Sequence, residues 1–276
     1  GEVRVPGDKS VTHRALLLGA IASGTTRVSR FLHAQDHHDT GNALRSLGIE
    51  IRGLESEGPV EIHGAGLDGL REAPAPLYLG NSGAGMRLLA GLLAGQPFSS
   101  VLKGDASLSR RPMDRIARPL GMMGAHIAGT GERCLPPLKI TGKRPLKPIE
   151  YALPMASAQA KSAILLAGLY ADGQTEVTEP LPTRDHTERM LGLFGVDVQV
   201  RGPSARVRGR QKLIAQDVAM PGDISSAAFF LVAASIIPGS ELFLPAVGVN
   251  PRRTGALDAL SQMGATVTLE NQREEC

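Results

Sequence analysis

The chain has 276 residues, of which 42% are hydrophobic but only 3% aromatic, and its formal net charge is +3. This length is enough to bury a large core, and a mild positive charge without a Lys/Arg tract or aromatics to stack bases favours small anionic ligands over nucleic acid. Cys134 and Cys276 are too few for a disulfide framework, and no apolar run reaches the roughly 18 residues of a membrane span. We therefore expect a cytoplasmic protein with no membrane partner.

The first predicted helix begins directly after Pro6-Gly7 and carries Lys9, Ser10 and Arg14 in its first turns. The N-terminus of a helix presents free backbone N–H groups and a positive partial charge, and added cations strengthen its attraction for anions. A capped helix with solvated charges fits this segment equally well when it is taken alone. The anion site is favoured because the same arrangement recurs further along the chain.

Three later segments repeat the order of a Gly/Pro/Ser turn, a helix of small and apolar residues, a glycine and a β-branched strand; they begin at Leu79, Leu153 and Met220. In all four units a second helix follows, which is predicted to end at a glycine and then run into a strand. These glycines are Gly48, Gly124, Gly195 and Gly264. A period of about 70 residues is too long for a solenoid repeat and favours compact units around a common core.

The first helices of these units are predicted to be sheltered from solvent. Ala163–Leu169 in the third unit and Phe229–Ala234 in the fourth are apolar on nearly every side. A helix that lacks a polar face is typically buried. The sequence therefore predicts an α/β fold with helices inside and sheets outside.

Further cations precede other predicted helices. Arg110 and Arg111 stand before a helix expected to start at Pro112, and Arg184 stands beside Asp185, a predicted helix cap. Four or five cations that face one cleft suit a ligand with several phosphates or carboxylates. Taken singly, three of the cations are most simply interpreted as surface charges: Arg110, Lys161 and Arg189.

Two segments carry residue types that belong to other chemistry. Asp36-His37-His38-Asp39 resembles a metal-ligand cluster, but neighbouring side chains diverge and no third ligand pattern is evident, so we predict a polar helix start and no metal. Cys134 has a single cationic neighbour, which is weak support for a reactive thiolate. No phosphate-binding loop, nucleophile elbow or paired-Cys motif is present, and no cofactor is expected.

Six motifs, in order along the whole chain, resemble those of the EPSP synthase (3-phosphoshikimate 1-carboxyvinyltransferase) family, in its class II bacterial branch. They are Pro6–Arg14, Gly80–Arg87, Gly104–Met113, Pro154–Ser162, Arg184–Glu188 and Pro221–Ala227. The resemblance implies two domains, each of three βαβαββ units around buried helices, joined by two crossing segments. Residues 8–221 would form one complete domain, and residues 1–7 and 222–276 would belong to a second domain whose remainder is missing from this chain.

The resemblance also implies a reaction, in which the enolpyruvyl group of phosphoenolpyruvate is transferred to the 5-hydroxyl of shikimate 3-phosphate and phosphate is released. This step belongs to the shikimate pathway of aromatic amino-acid biosynthesis. One set of residues would bind shikimate 3-phosphate: Lys9, Ser10, Arg14, Ser157, Ala158 through its backbone, Gln159 and Arg184. A second set would bind phosphoenolpyruvate: Lys9, Asn81, Gly83, Arg111 and Gln159.

The family's catalytic base is expected beyond residue 276, so no catalytic residue is assigned in this chain, and the chain alone is expected to be inactive. Two other interpretations stay open. The related UDP-N-acetylglucosamine enolpyruvyl transferases share the fold but use a Cys on a mobile loop, whose surroundings Cys134 lacks. A non-catalytic anion-binding module is the other, because the base is missing. The resemblance also makes glyphosate an expected inhibitor, since Gly83 leaves room that an Ala would fill.

Overall fold

A computed structural model describes residues 1–274, so Cys276 lies outside the described residues. The helices follow the predicted order of a first and a second helix in each of four successive units. They are α1 (Lys9–Ile21), α2 (Gln35–Ser46), α3 (Gly83–Ala94), α4 (Asp114–Met122), α5 (Ala158–Gly168), α6 (His186–Leu193), α7 (Ile224–Ile236) and α8 (Gly255–Gln262). The predicted start of α4 at Pro112 is slightly early, because Met113 occupies the cap position and Asp114 is the first helical residue.

The strands form three four-stranded sheets that share one plan. They are β1 (Ser23–Ser29), β2 (Glu50–Arg52), β3 (Val60–Ala65), β4 (Leu77–Tyr78), β5 (Ser99–Lys103), β6 (His126–Thr130), β7 (Leu135–Thr141), β8 (Glu150–Ala152), β9 (Gln174–Thr178), β10 (Val198–Arg201), β11 (Ser204–Arg208) and β12 (Val218–Ala219). The orders are β12-β1-β3-β2, β4-β5-β7-β6 and β8-β9-β11-β10. In each sheet the first strand pairs in parallel with the second, and the remaining pairs are antiparallel.

The first sheet is completed by a strand from much later in the chain. Val28 of β1 is in register with Val218 of β12, in the position that β4 and β8 occupy in the other two sheets. The chain thus returns to the first unit after building the third. Three repeated units closed in this way confirm the predicted repeat and the α/β fold.

The helices α1, α3 and α5 form the centre, and their side chains are buried from the second turn onward on nearly every face. Two of these helices touch through their backbones. A Cβ added to Gly91 of α3 would lie 2.4 Å from the carbonyl oxygen of Ala163 in α5. A glycine in a helix interior lowers helix stability by roughly 1 kcal/mol relative to Ala, and here it permits the close approach. The prediction of sheltered helices is confirmed for Ala163–Leu169.

The same prediction is wrong for α7. Phe229 is 80% exposed and Ile236 is 74% exposed, because no sheet within residues 1–274 covers this face of the helix. The prediction that each second helix runs into a strand is likewise wrong for the fourth unit. Within the described residues no strand follows α7 or α8, so the strand predicted after Gly239 is absent as well as the one predicted after Gly264, since the backbone there has no neighbouring strand with which to pair. None of the helices in residues 1–274 is both long and apolar enough to cross a lipid bilayer.

Candidate anion-binding site

The three sheets and helices α1 to α6 together form the three-unit body. The N-terminus of α1 presents Lys9 and Ser10 at the surface of this body. Asp8 caps the helix, and its Oδ1 accepts hydrogen bonds from the backbone N–H groups of Ser10 (2.7 Å) and Val11 (3.0 Å). The Lys9 side chain is half exposed and its ammonium pairs with the carboxylate of Asp36, in the first turn of α2. The predicted polar helix start at Asp36–Asp39 is therefore confirmed.

Arg184 reaches the same surface from the loop that precedes α6. Its side chain is exposed, and Nη1 lies 3.4 Å from Ser10 Oγ, a long hydrogen bond at most. Asp185 occupies the predicted cap position, but its carboxylate does not cap the helix. It accepts instead from Asn250 Nδ2 (2.6 Å) and Arg189 Nε (3.0 Å). The Arg184 guanidinium is thus directed at the Lys9–Ser10 surface, and its remaining N–H groups are available to a ligand.

Arg14 lies directly beneath this surface and is buried. Its guanidinium donates to Ser10 O (2.9 Å), Ser162 Oγ (2.8 Å) and Thr187 Oγ1 (2.7 Å). Burial lowers its pKa to about 10, which leaves it charged at neutral pH. Arg14 therefore joins α1 to α5 and α6 and adds a fixed positive charge under Ser10.

The N-terminus of α3 holds the second group of predicted residues. Ser82 caps the helix by accepting from Gly85 N–H (3.0 Å), and Arg111 donates to the side chain of Asn81. A Cβ added to Gly83 would lie 3.0 Å from Nη1 of both Arg87 and Arg111. Two guanidinium groups therefore lie close to the Asn81–Gly83 turn. One of them belongs to Arg87, which is part of the sequence motif but was not among the predicted site residues.

The N-terminus of α5 completes the arrangement. Ser157 Oγ caps the helix through Ala160 N–H (3.3 Å), Ala158 is the first helical residue, and all three residues 157–159 are partly exposed. Gln159 Oε1 accepts from Arg87 Nη1 (2.7 Å). This hydrogen bond links the α5 turn to the α3 turn, just as Arg14 links α1 to α5.

The predicted site residues are thus brought together around three helix N-termini that are hydrogen-bonded to one another. Each N-terminus contributes a positive partial charge and free N–H groups, and the cations stand around them. Of the cationic side chains of the site, those of Lys9 and Arg184 are exposed and that of Arg111 is partly exposed. Such a surface suits a ligand with more than one anionic group, or two anions side by side.

Lys161 is not a surface charge, contrary to the simplest interpretation of the sequence. Its side chain is 1% exposed, and Nζ lies 2.7 Å from Glu179 Oε2 and 2.6 Å from Glu188 Oε1. The two carboxylates come from the loop after β9 and from α6, so folding brings together charges that no local pattern pairs. Arg110 is exposed as expected, and Arg189 pairs with Asp185.

The other chemistry considered from sequence finds little support in the geometry. Within residues 1–274 no group of three or more His, Cys, Asp or Glu side chains is arranged to hold a metal ion. Cys134 lies between β6 and β7 with a positive φ of 51°. Burial raises the pKa of its thiol, which disfavours the thiolate that a nucleophile requires.

Comparison with known proteins gives consistent results. A sequence profile described as EPSP synthase (3-phosphoshikimate 1-carboxyvinyltransferase) matches residues 1–275. Proteins named 3-phosphoshikimate 1-carboxyvinyltransferase from Acidithiobacillus ferrooxidans and Methylococcus capsulatus are 58% and 55% identical over 274 residues, which is 99% of this chain and 62% of theirs. The structure of EPSP synthase from Acinetobacter baumannii is 55% identical in sequence and superimposes with a TM-score of 0.93. The match covers 99% of this chain and 61% of that one. The chain thus spans about three fifths of the length of these relatives.

Proposed function

The chain belongs to the EPSP synthase family, and from this membership we propose that it forms the shikimate 3-phosphate-binding part of a 3-phosphoshikimate 1-carboxyvinyltransferase. The observation that carries the proposal is the convergence of three helix N-termini with Lys9, Ser10 and Arg184 on one open surface. A sugar acid that bears both a phosphate and a carboxylate matches this distribution of N–H donors and cations.

We further propose that residues 8–221 are one domain and that residues 1–7 and 222–276 belong to a second. Two backbone hydrogen bonds support a crossing at this boundary: Asp8 N to Pro221 O and Asp223 N to Pro6 O, both 2.8 Å. Arg253 also joins the two caps, since it donates to Asp8 Oδ2 (2.8 Å) and to Asp223 Oδ1 (3.2 Å). In a full-length enzyme, the part of the relatives that this chain does not match would complete the second domain.

In the proposed reaction the substrate 5-hydroxyl oxygen bonds to the enol carbon of phosphoenolpyruvate while the methylene carbon takes up a proton. The hydroxyl proton and a methyl proton are then lost, and phosphate leaves with its C–O bond electrons. Two anions must approach each other for this addition, so their repulsion has to be neutralised before the oxygen can attack. Lys9, whose side chain is half exposed at the start of α1, is assigned to both substrates from the family resemblance.

The proposed residues form two sets that share Gln159. Ser10, Arg184, Ser157, Ala158 N–H and Gln159 would hold shikimate 3-phosphate, with Arg14 fixing Ser10 from below. Asn81, Gly83, Arg111 and Gln159 would hold phosphoenolpyruvate, and Arg87 joins this set on the evidence of its contact with Gln159. The catalytic base and the proton donor remain assigned to the part beyond residue 276.

Titration calorimetry tests the proposal directly. We expect shikimate 3-phosphate to bind the 276-residue chain and shikimate to bind much more weakly, because only the former carries the phosphate. UDP-N-acetylglucosamine separates the related transferase, and binding of that compound in preference to shikimate 3-phosphate would overturn the assignment. A non-catalytic module would bind shikimate 3-phosphate yet release no phosphate from phosphoenolpyruvate in the full-length protein.

A further inference from the structure

The imidazole of His13 is a buried polar group to which the proposed mechanism gives no role. The side chain is 0% exposed and lies between α2 and the N-terminal cap of α3. Its Nδ1 is 3.2 Å from Thr40 Oγ1, and its Nε2 is 3.2 Å from Ser82 Oγ. One ring therefore touches the element that pairs with Lys9 and also the cap of the Asn81–Gly83 turn.

The hydrogen bonds around the ring fix which nitrogen carries the proton. Thr40 Oγ1 donates its own hydrogen to the carbonyl oxygen of Asp36 at 2.9 Å, so toward the ring it can only accept. Nδ1 must then carry a hydrogen and donate it to Thr40. Ser82 Oγ already accepts from Gly85 N–H, which leaves its hydroxyl hydrogen to donate to a bare Nε2.

The surroundings also favour the neutral ring. Burial, followed by the neighbouring His37, Lys9 and Arg14, lowers the pKa of His13 well below its ordinary value. The His37 ring lies 4.3 Å away between centroids, and its Nε2 is 3.0 Å from Lys9 O. A proton on Nε2 would turn that atom into a donor, so the Ser82 hydroxyl hydrogen would lose its acceptor on the ring.

We propose that His13, as a neutral Nδ1–H imidazole, is a positioning residue that sets the Asn81–Gly83 turn relative to the Asp36–Lys9 pair. The chain of contacts runs from Gly85 N–H through Ser82, His13 and Thr40 to Asp36, whose carboxylate holds the Lys9 ammonium. The ring thus ties the residues assigned to phosphoenolpyruvate to the lysine assigned to both substrates. This role rests on the proposed function, but the hydrogen-bond arrangement does not.

The first test needs no ligand and no variant. A long-range proton–nitrogen correlation spectrum of the histidine-labelled 276-residue chain at neutral pH reports the tautomer of each ring. We expect His13 to have a protonated Nδ1 and an unprotonated Nε2. A ring protonated at Nε2, alone or together with Nδ1, would overturn the assignment.

The second test compares His13→Leu, which removes both ring contacts, with His13→Asn, which keeps one donor and one acceptor. Amide hydrogen exchange at Gly85 should quicken about ten-fold in His13→Leu, the ratio that corresponds to loss of one hydrogen bond, and return toward the wild-type rate in His13→Asn. Ala160 is the internal control, because its N–H is capped by Ser157 in the same way without a histidine. Equal Gly85 exchange in wild type and His13→Leu would overturn the proposal.

The third test applies to the full-length enzyme. His13→Leu should raise the KM for phosphoenolpyruvate several-fold more than the KM for shikimate 3-phosphate. His13→Asn should return the KM for phosphoenolpyruvate toward the wild-type value. An equal rise in both values would contradict a positioning role at the Asn81–Gly83 turn. If the wild-type enzyme shows no turnover at all, the proposed function fails, whereas the tautomer and exchange results still decide whether His13 holds the turn.

Discussion

Arg184 and Arg14 carry the same charge within one candidate site, but their different surroundings indicate different roles. Arg14 directs its nitrogens at three protein oxygens and is buried, so its charge acts from beneath the surface. Arg184 is exposed, and its closest described contact is 3.4 Å from a hydroxyl. An arginine with unoccupied donors at a surface of helix N-termini is available to a ligand phosphate.

We therefore predict that Arg184→Ala weakens the binding of shikimate 3-phosphate by about 1.5–3 kcal/mol, the range for a hydrogen bond to a charged group. Titration calorimetry on the 276-residue chain measures the difference. Arg110→Ala is the matched control, because Arg110 is also exposed but lies in the short 3-10 helix before α4, and it should leave the affinity unchanged. Equal affinities for wild type and Arg184→Ala would contradict the assignment.

Gly83 supports a second prediction at this scale. A methyl group there would come within 3.0 Å of the guanidinium ends of Arg87 and Arg111, which are flexible and can move aside. Phosphoenolpyruvate, the proposed substrate, should tolerate such a shift better than glyphosate, the expected inhibitor, which is longer. Gly83→Ala in the full-length enzyme should therefore raise the inhibition constant of glyphosate more than the KM for phosphoenolpyruvate. Steady-state inhibition kinetics decide the matter, and an insensitive wild type or an unchanged inhibition constant would count against the contact.

At the scale of elements, the starts of the site helices could be predicted because their signals are local. The side chains of Asp8, Ser82 and Ser157 each accept from backbone N–H groups within the next three residues. A helix start of this kind can therefore be predicted from neighbouring residues alone. Lys161 could not be interpreted in this way. Its partners, Glu179 and Glu188, come from two other elements, and the sequence does not reveal that folding buries all three together.

The contact of His13 with Ser82 was hidden for the same reason. The two residues are 69 positions apart, and only the packing of α1 against α3 brings them together. Sequence motifs predicted which turns would bind anions, but not how those turns are held relative to one another. That information lies in buried polar contacts between elements, where a single histidine or lysine has no periodicity to mark it.

Three helices carry buried histidines, and these make the stability of the fold depend on pH. Burial lowers the pKa of His37 in α2 to about 4 and that of His186 in α6 to about 3, and it lowers that of His13 in α1 as well. The unfolded chain, with histidines near 6.5, binds more protons as the pH falls below that value. The stabilisation is therefore complete above pH 6.5 and is lost progressively toward pH 4.

We predict that the free energy of unfolding falls between pH 6 and pH 5 by up to about 4 kcal/mol, roughly 1.4 kcal/mol for each of three histidines. Urea titrations at closely spaced pH values measure the slope. His37→Leu should reduce it by about one third. His126→Gln, at an exposed position on β6, should leave it as it is. A slope that is the same in wild type and His37→Leu would show that carboxylates, not this histidine, govern the acid response.

At the scale of the molecule, the three-unit body is closed and the fourth unit is not. The strand β12 completes the first sheet, whereas α7 leaves Phe229 and Ile236 largely exposed. An apolar surface of this kind marks an interaction site. Nearly two fifths of the relatives' length lies outside the part that this chain matches, and we propose that the corresponding segment of a full-length enzyme covers this face.

We propose that this division of the molecule separates binding from turnover. The groups assigned to shikimate 3-phosphate lie in residues 8–221, but the proposed base, proton donor and remaining cationic contacts to phosphoenolpyruvate do not. The loss of an acid–base group or of a preorganised electrostatic contact each costs a factor of roughly 10² or more. The 276-residue chain should therefore bind shikimate 3-phosphate and yet release no measurable phosphate from phosphoenolpyruvate. A phosphate-release assay on the mass-verified chain tests this, with EPSP synthase from Acinetobacter baumannii as the control for substrates and detection. Release at the control enzyme's rate would mean that residues 1–276 contain a complete catalytic set, and the assignment of the base to a later segment would then be wrong.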